Sequence, residues 1–121
     1  MNKKIERFED LLIWQRSMDL VCEVYRNFGK INDFGFRDQI QRASVSIPAN
    51  ISEGFERDTN KEFVRYLFIA RGSCGECRTL LLLAQRLGII KESLAKVLIK
   101  ESVELSSMIY GLIKIRKEKF K

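Results

Sequence analysis

The chain has 121 residues, of which 45% are hydrophobic and 31% charged, with a formal net charge of +6. This composition excludes a disordered or low-complexity chain, and no apolar run approaches the roughly 18 uncharged residues that a membrane-spanning helix needs. The first residues, MNKKIERFEDLL, lack an apolar signal segment, and the three cysteines have no secretory context. We therefore expect a cytoplasmic protein, not a membrane protein, folded as a single domain over residues 1–121.

The first predicted helix covers residues 8–28. Its apolar residues recur every three or four positions, which is the spacing of one face of an α-helix. They are Phe8, Leu11, Trp14, Met18, Val21, Tyr25 and Phe28. Gly29 is expected to end this helix, and the Asn, Asp and Gly residues of GKINDFG (29–35) predict a loop.

The second predicted helix covers residues 36–56 and contains the only proline of the chain, Pro48. The apolar spacing continues on both sides of it, in Ile40, Ala43, Ile47, Ile51 and Phe55. A proline inside a helix removes one backbone hydrogen bond and costs ~3 kcal/mol, so we expect a kink at this position.

The kink is expected to be lined by small polar groups from the stretch SIPANISEG. Serine and asparagine side chains, or water, can satisfy carbonyl groups such as that of Ser44, which loses its donor to the proline. The residues of this motif are Ser46, Pro48, Asn50, Glu53 and Gly54. Two interpretations stay open: the bend only fits the helix around its neighbours, or it presents Arg42 and Arg57 to a ligand.

The third predicted helix covers residues 60–87, between a capping box formed by Thr59 and Glu62 and a stop at Gly88. The stretches FVRYLFIA (63–70) and LLLLA (80–84) place apolar side chains almost all the way round it. A bundle helix needs only one apolar stripe. The surplus predicts an oligomer interface, the alternative being a helix wedged deep among the other three.

The fourth predicted helix covers residues 92–117, with an apolar stripe that Glu101 interrupts. The stripe consists of Leu94, Leu98, Leu105, Met108, Leu112 and Ile115. Glu101 is interpreted either as a buried partner of an arginine or as part of a half-exposed bundle edge. Four long helices with short connections and no period-two segment predict an all-α, antiparallel up-down-up-down four-helix bundle.

Enzymatic chemistry finds little support in the residue types. The chain has no histidine and no phosphate-binding glycine loop, so neither the commonest general base nor a nucleotide site is indicated. Cys74 and Cys77 form a C-x-x-C in the middle of a helix, where packing is the favoured interpretation, because a zinc site would need four ligands. We expect no catalytic residue, metal or cofactor, and a thiol-dependent enzyme is the least favoured hypothesis.

The stretch DQIQRASVSIPANISEGFER (38–57) resembles the signature of the 23S rRNA-intervening-sequence proteins, a family of four-helix bundles. The resemblance extends to FEDLLIWQRSMDLVCEVY (8–25) and to KEFVRYLFIARGSCGECRTLLLLAQRLGII (61–90). It implies a bacterial protein without established enzymatic activity that forms a ring-like homopentamer with a basic surface. The family is also similar to the accessory protein of diversity-generating retroelements, which binds a reverse transcriptase and nucleic acid.

Two functions are therefore weighed against the thiol enzyme. The first is an oligomeric scaffold that binds RNA or DNA through phosphate contacts; the second is an adaptor for a partner protein such as a reverse transcriptase, with no direct nucleic-acid role. The candidate phosphate-binding residues are Arg37, Arg42, Arg57, Lys61 and Arg65, with Lys114, Arg116, Lys117 and Lys119 as a second cluster. On charge alone, a basic tail that only keeps the protein soluble remains an alternative.

Overall fold

The computed structural model describes residues 4–119 as four α-helices preceded by a short 3-10 turn. The turn is Phe8–Asp10, and the helices are α1 (Leu12–Phe28), α2 (Phe34–Phe55), α3 (Asn60–Leu87) and α4 (Glu92–Lys119). No strand occurs within residues 4–119. The predicted all-α class with four helices is confirmed, whereas the final Lys121 of the basic tail lies outside the described residues.

Side-chain contacts fix the relative direction of some helix pairs. The guanidinium of Arg116, near the end of α4, lies 4.9 Å from the ring centroid of Phe63 in the first turn of α3. Further along, the guanidinium of Arg71 lies 4.3 Å from the ring centroid of Tyr110. From Phe63 to Arg71 the chain of α3 goes forward, while the contacted residues of α4 go backward from Arg116 to Tyr110, so α3 and α4 are antiparallel. The up-down-up-down order of all four helices and the kink at Pro48 stay predictions.

An ion-pair cluster joins α1 to α4. The Nη2 atom of Arg16 lies 2.8 Å from Glu101 Oε2 and 2.9 Å from Glu104 Oε2. These hydrogen bonds raise the pKa of Arg16. Glu101 therefore pairs with an arginine, but the pair is not buried: its side chain is 42% exposed, as the interpretation of a half-exposed bundle edge requires.

The ends of α3 lie at the predicted residues, although only the threonine half of the predicted capping box is formed. The hydroxyl of Thr59 accepts a hydrogen bond from the Glu62 backbone amide at 3.1 Å, and Gly88 ends the helix at a φ of 68°, a conformation that favours glycine. Glu62 pairs with Arg65 at 3.7 Å. The helix therefore begins with a threonine N-cap and ends with a left-handed glycine.

The core face of α1 differs from the predicted stripe. Met18 and Tyr25 are 39% and 47% exposed, so their assignment to that stripe was wrong. The buried face is instead formed by Ile13, Ser17, Leu20, Val24 and Phe28. Ser17 can occupy it because its hydroxyl donates to the carbonyl of Trp14 at 2.7 Å, which satisfies the polar group inside the helix.

The same correction applies to α4. Ile115, a predicted stripe residue, is 57% exposed, whereas Ser102 is buried and donates to the carbonyl of Ile99 at 2.7 Å. When only apolar residues are counted, Ser17 and Ser102 are missed, and the predicted buried face of each helix is rotated away from the observed one. No helix within residues 4–119 combines the length and apolarity needed to span a bilayer.

Candidate nucleic-acid interface

The polar groups around Pro48 are engaged within α2. The Ser46 hydroxyl donates to the carbonyl of Ala43 at 2.9 Å, and the Asn50 amide donates to the carbonyl of Ser46 at 2.7 Å. Pro48 is buried, and its neighbours Ile47 and Ile51 are fully buried. This part of the signature thus packs into the core, with its polar side chains satisfied by the backbone of their own helix.

The second part of the signature joins α2 to α3. A Cβ placed on Gly54 would lie 2.5 Å from the Cβ of Tyr66, which is closer than real Cβ contacts come. Glycine is therefore required for the close approach of the two helices at this point. The rings of Phe55 and Phe63 pack edge to face beside it, with centroids 5.8 Å apart.

Arg57 takes part in the same contact. Its Nη2 atom lies 2.7 Å from the hydroxyl of Tyr66 and 3.1 Å from Glu53 Oε1. The hydrogen bond to Glu53 is the main reason why the pKa of Arg57 is raised. Glu53, Gly54 and Arg57 together hold Tyr66, which supports the structural interpretation of the signature.

The candidate cations of the first half of α2 lie away from this junction. Arg37 pairs with Asp38 at 3.2 Å and lies over the ring of Phe34, and Arg42 is exposed. At a rise of about 1.5 Å per residue, Arg42 is about 20 Å along α2 from Phe55, and Arg57 lies two residues beyond the end of the helix. The sequence-predicted set is thus split between two regions of the molecule.

The remaining candidates lie in two stretches, around the start of α3 and at the end of α4, which meet through the Asn60 amide donating to the carbonyl of Arg116 at 3.1 Å. Lys61 and Lys117 line one cavity of about 310 Å³ with Asn60 and Val64. Arg65 lies 5.1 Å from the ring centroid of Tyr66. We call these two stretches together the basic end; its members are Arg57, Lys61, Arg65, Lys114, Arg116, Lys117 and Lys119. Lys61 and Lys117, from clusters about fifty positions apart in the sequence, therefore meet at one cavity.

The sequence reasoning missed a groove between α3 and α4. It has a volume of about 330 Å³, and we call it the α3–α4 groove; its lining residues are Phe68, Arg71, Gly72, Gly75, Arg78 and Ser106. The seven-residue interval between Arg71 and Arg78, with two glycines on the same side, is the signal that places them together. Gly72 and Gly75 do not mark a close contact between helices, because a Cβ on either one meets no atom within 4 Å.

The thiols of the C-x-x-C are buried. Cys74 and Cys77 are 1% and 0% exposed, and burial is the main reason why the pKa of each rises to about 12. Within the described chain, no group of three or more potential ligands is placed to hold a metal ion. The burial of both thiols supports the packing interpretation of the motif.

The second half of α3 exposes apolar side chains. Leu82, Leu83 and Leu87 are 46%, 41% and 63% exposed, and the first two line a cavity of about 550 Å³ beside the start of α4. The helix is therefore not wedged among the other three. Its surplus apolar residues face outward, as the oligomer hypothesis requires.

Comparison with known proteins agrees with this architecture. The model of the family described as 23S rRNA-intervening sequence protein matches residues 9–111. The chain is also similar to a solved structure, described as a protein with unknown function from the S23 ribosomal protein family of Bacteroides thetaiotaomicron. That likeness has a TM-score of 0.81 at 22% identity, covering 85% of this chain and 99% of that chain, and shows the fold alone. No curated protein matches the chain, and neither description names an enzymatic activity.

Proposed function

The chain belongs to the 23S rRNA-intervening sequence protein family, as residues 38–57 predicted, and we propose that it is a non-enzymatic, oligomeric scaffold that binds nucleic acid. RNA is the favoured ligand, bound through its phosphate backbone. The binding surface is the basic end.

One observation supports this proposal: Lys61, at the start of α3, and Lys117, near the end of α4, line the same cavity, so members of two separate basic clusters meet. Lysine and arginine side chains on such a surface neutralise phosphates and release counterions, which gives an affinity that depends steeply on salt. Phosphate contacts carry no sequence information, and we expect little discrimination between sequences.

Oligomerisation strengthens such weak contacts. The exposed leucines of α3 offer a surface for other copies of the chain, and a ring repeats each basic side chain by symmetry. A modest net charge of +6 per chain then becomes a basic belt. The number five for the copies is a prediction from the family resemblance.

A second candidate function rests on the same exposed leucines. Leu82, Leu83 and their cavity also fit an apolar segment of a partner protein. In that case the chain is an adaptor, and its positive charge has no direct role in nucleic-acid binding.

The test uses two triple variants of α4 with the same change of charge. K114Q/K117Q/K119Q removes three exposed lysines from the basic end, and K91Q/K96Q/K100Q removes three exposed lysines from the first half of the same helix and the residue before it. Binding of a fluorescent RNA and of the DNA of the same sequence is measured across a salt titration, on protein of known oligomeric mass.

We expect the first variant to weaken binding by about tenfold or more at low salt and to flatten the salt dependence, by about 0.7 in log–log slope for each single-strand phosphate that is no longer neutralised. The control should stay within about twofold of the unmodified protein. Equal decreases in affinity would mean that only net charge matters, and an unchanged affinity in both variants would favour the adaptor.

A further inference from the structure

We propose that the α3–α4 groove binds single-stranded nucleic acid, with bases stacked on Phe68 and Tyr110 and phosphates held by the cations around these rings. This inference rests on the proposed function and specifies its ligand as an unpaired strand. It also places the main contact on residues outside the predicted set, above all Arg71, Arg78 and Tyr110.

Cations and exposed rings alternate along this part of the surface. Phe68 is 42% exposed, with the ammonium of Lys117 5.6 Å from its centroid. Tyr110 is 38% exposed, with the Arg71 guanidinium at 4.3 Å and the Lys114 ammonium at 5.0 Å. Cation–π contacts at exposed sites are weak, so a phosphate can draw these cations away and leave the ring faces for bases.

The groove has both the space and the charge for a phosphodiester chain. Gly72 and Gly75 present no side chain, and nothing stands within 4 Å of where a Cβ would be. Lys117 connects the groove to the neighbouring cavity, since it lines that cavity and lies over Phe68. Among the described residues, no carboxylate lines either cavity.

These features favour a single strand over the other possible occupants. A duplex keeps its bases stacked on each other and offers none to a protein ring, whereas an unpaired strand alternates phosphates with free base faces. A two-fold contact between two copies at this groove would bring Arg71 and Arg78 close to the same residues of the partner copy, and like charges would oppose it. A head-to-tail contact, as in a ring, would join different surfaces, and the oligomeric mass of a G75E variant tests it.

The experiment compares aromatic and charge variants with matched controls. F68L/Y110L removes the ring of Phe68 in the groove and that of Tyr110 beside Arg71 but keeps their apolar bulk, and Y25L/F34L does the same to an exposed tyrosine and phenylalanine elsewhere. G75E puts a carboxylate into the groove, and G35E puts one at an exposed glycine near the start of α2. Glutamate favours a helix more than glycine does, so both glycine variants should fold.

The probes are a 15-nucleotide mixed-sequence RNA and the same RNA in a duplex. We expect F68L/Y110L to weaken single-strand binding by about tenfold or more, the effect of removing the stacking of at least one base, and to abolish the preference over duplex. G75E should weaken binding similarly. Y25L/F34L and G35E should remain within about twofold of the unmodified protein.

Three results would overturn the proposal, and they differ in what they say about the proposed function. If the groove variants bind normally while K114Q/K117Q/K119Q does not, the basic end is a nucleic-acid surface and the groove is not. If the unmodified protein binds no nucleic acid at low salt, both proposals fail. If G75E lowers the oligomeric mass in light scattering, the groove is a contact between copies of the chain.

Discussion

Gly54 and Gly75 are both glycines inside long helices, yet their surroundings are opposite. A Cβ on Gly54 would collide with Tyr66, whereas a Cβ on Gly75 meets no atom within 4 Å. The residue type alone gives no hint of this difference. It depends entirely on which element packs against each position.

We expect Gly54→Ala to lower the free energy of unfolding by about 1–3 kcal/mol, because the added methyl must push α3 away from α2. Gly75→Ala is the matched control and should raise it by about 0.5–1 kcal/mol, since alanine is the better helix former and has room. Chemical denaturation measures both. Equal stability of the Gly54→Ala variant and the unmodified protein would contradict the close contact.

The three thiols should differ in reactivity. Cys22 is exposed, whereas Cys74 and Cys77 are buried. At pH 8 a thiol reagent should modify Cys22 rapidly and the other two only as fast as the protein unfolds, because a buried, protonated thiol is unreactive. Rapid modification of all three in the folded protein would show that the C-x-x-C is accessible.

The same thiols make stability depend on alkaline pH. The pKa of Cys74 and Cys77 is about 12 in the folded protein against an ordinary value of 9.0. Between these two pH values the unfolded chain releases thiol protons that the folded chain retains, so the free energy of unfolding falls as pH rises. A C74A/C77A variant should show a shallower fall over pH 9–12, and an identical slope would contradict the assigned shifts.

At the scale of elements, α3 begins where its sequence signals place it, because its cap is local chemistry. Replacing Thr59 by alanine removes the acceptor for the Glu62 amide and should cost about 0.5–2 kcal/mol of unfolding free energy. Thr79→Ala, inside the same helix, is the control. The Thr79 hydroxyl bonds the carbonyl of Gly75 within α3, so its removal should be neutral or slightly stabilising. In thermal unfolding, the Thr59→Ala variant should have a lower Tm than the Thr79→Ala variant. Equal shifts in Tm would contradict the role of Thr59 as the N-cap.

At the scale of the whole molecule, the exposed leucines of α3 predict self-association. L83E/L87E should shift the protein towards monomer in light scattering, because two carboxylates cannot be buried unpaired in an apolar contact. Leu12 is 57% exposed on α1, and L12E is the control that should leave the mass unchanged. A monomeric unmodified protein at micromolar concentration would contradict the oligomer, and a dimer or tetramer only the predicted count of five.

The sequence by itself determined the features that depend on neighbours along the chain. Helix periodicity, the Thr59 cap and the Gly88 stop each require only a few consecutive residues, and so the four helices could be predicted. The family followed from the length and specificity of the stretch at residues 38–57. The buried faces of α1 and α4 were harder to predict from the sequence. A serine such as Ser17 or Ser102 counts as polar, and only the structure shows that its hydroxyl is satisfied by a hydrogen bond to the preceding turn.

Only the tertiary structure decided which basic residues lie together. The positions of the charged residues in the sequence made Arg57 and Lys117 candidates for phosphate binding. They could not show that Arg57 is hydrogen-bonded to Glu53 and Tyr66. Nor could they bring Lys61 and Lys117 to one cavity or open a groove above Gly75. The physical reason is that periodicity fixes which way a side chain points on its own helix, whereas the partner it meets depends on how separate helices pack against each other.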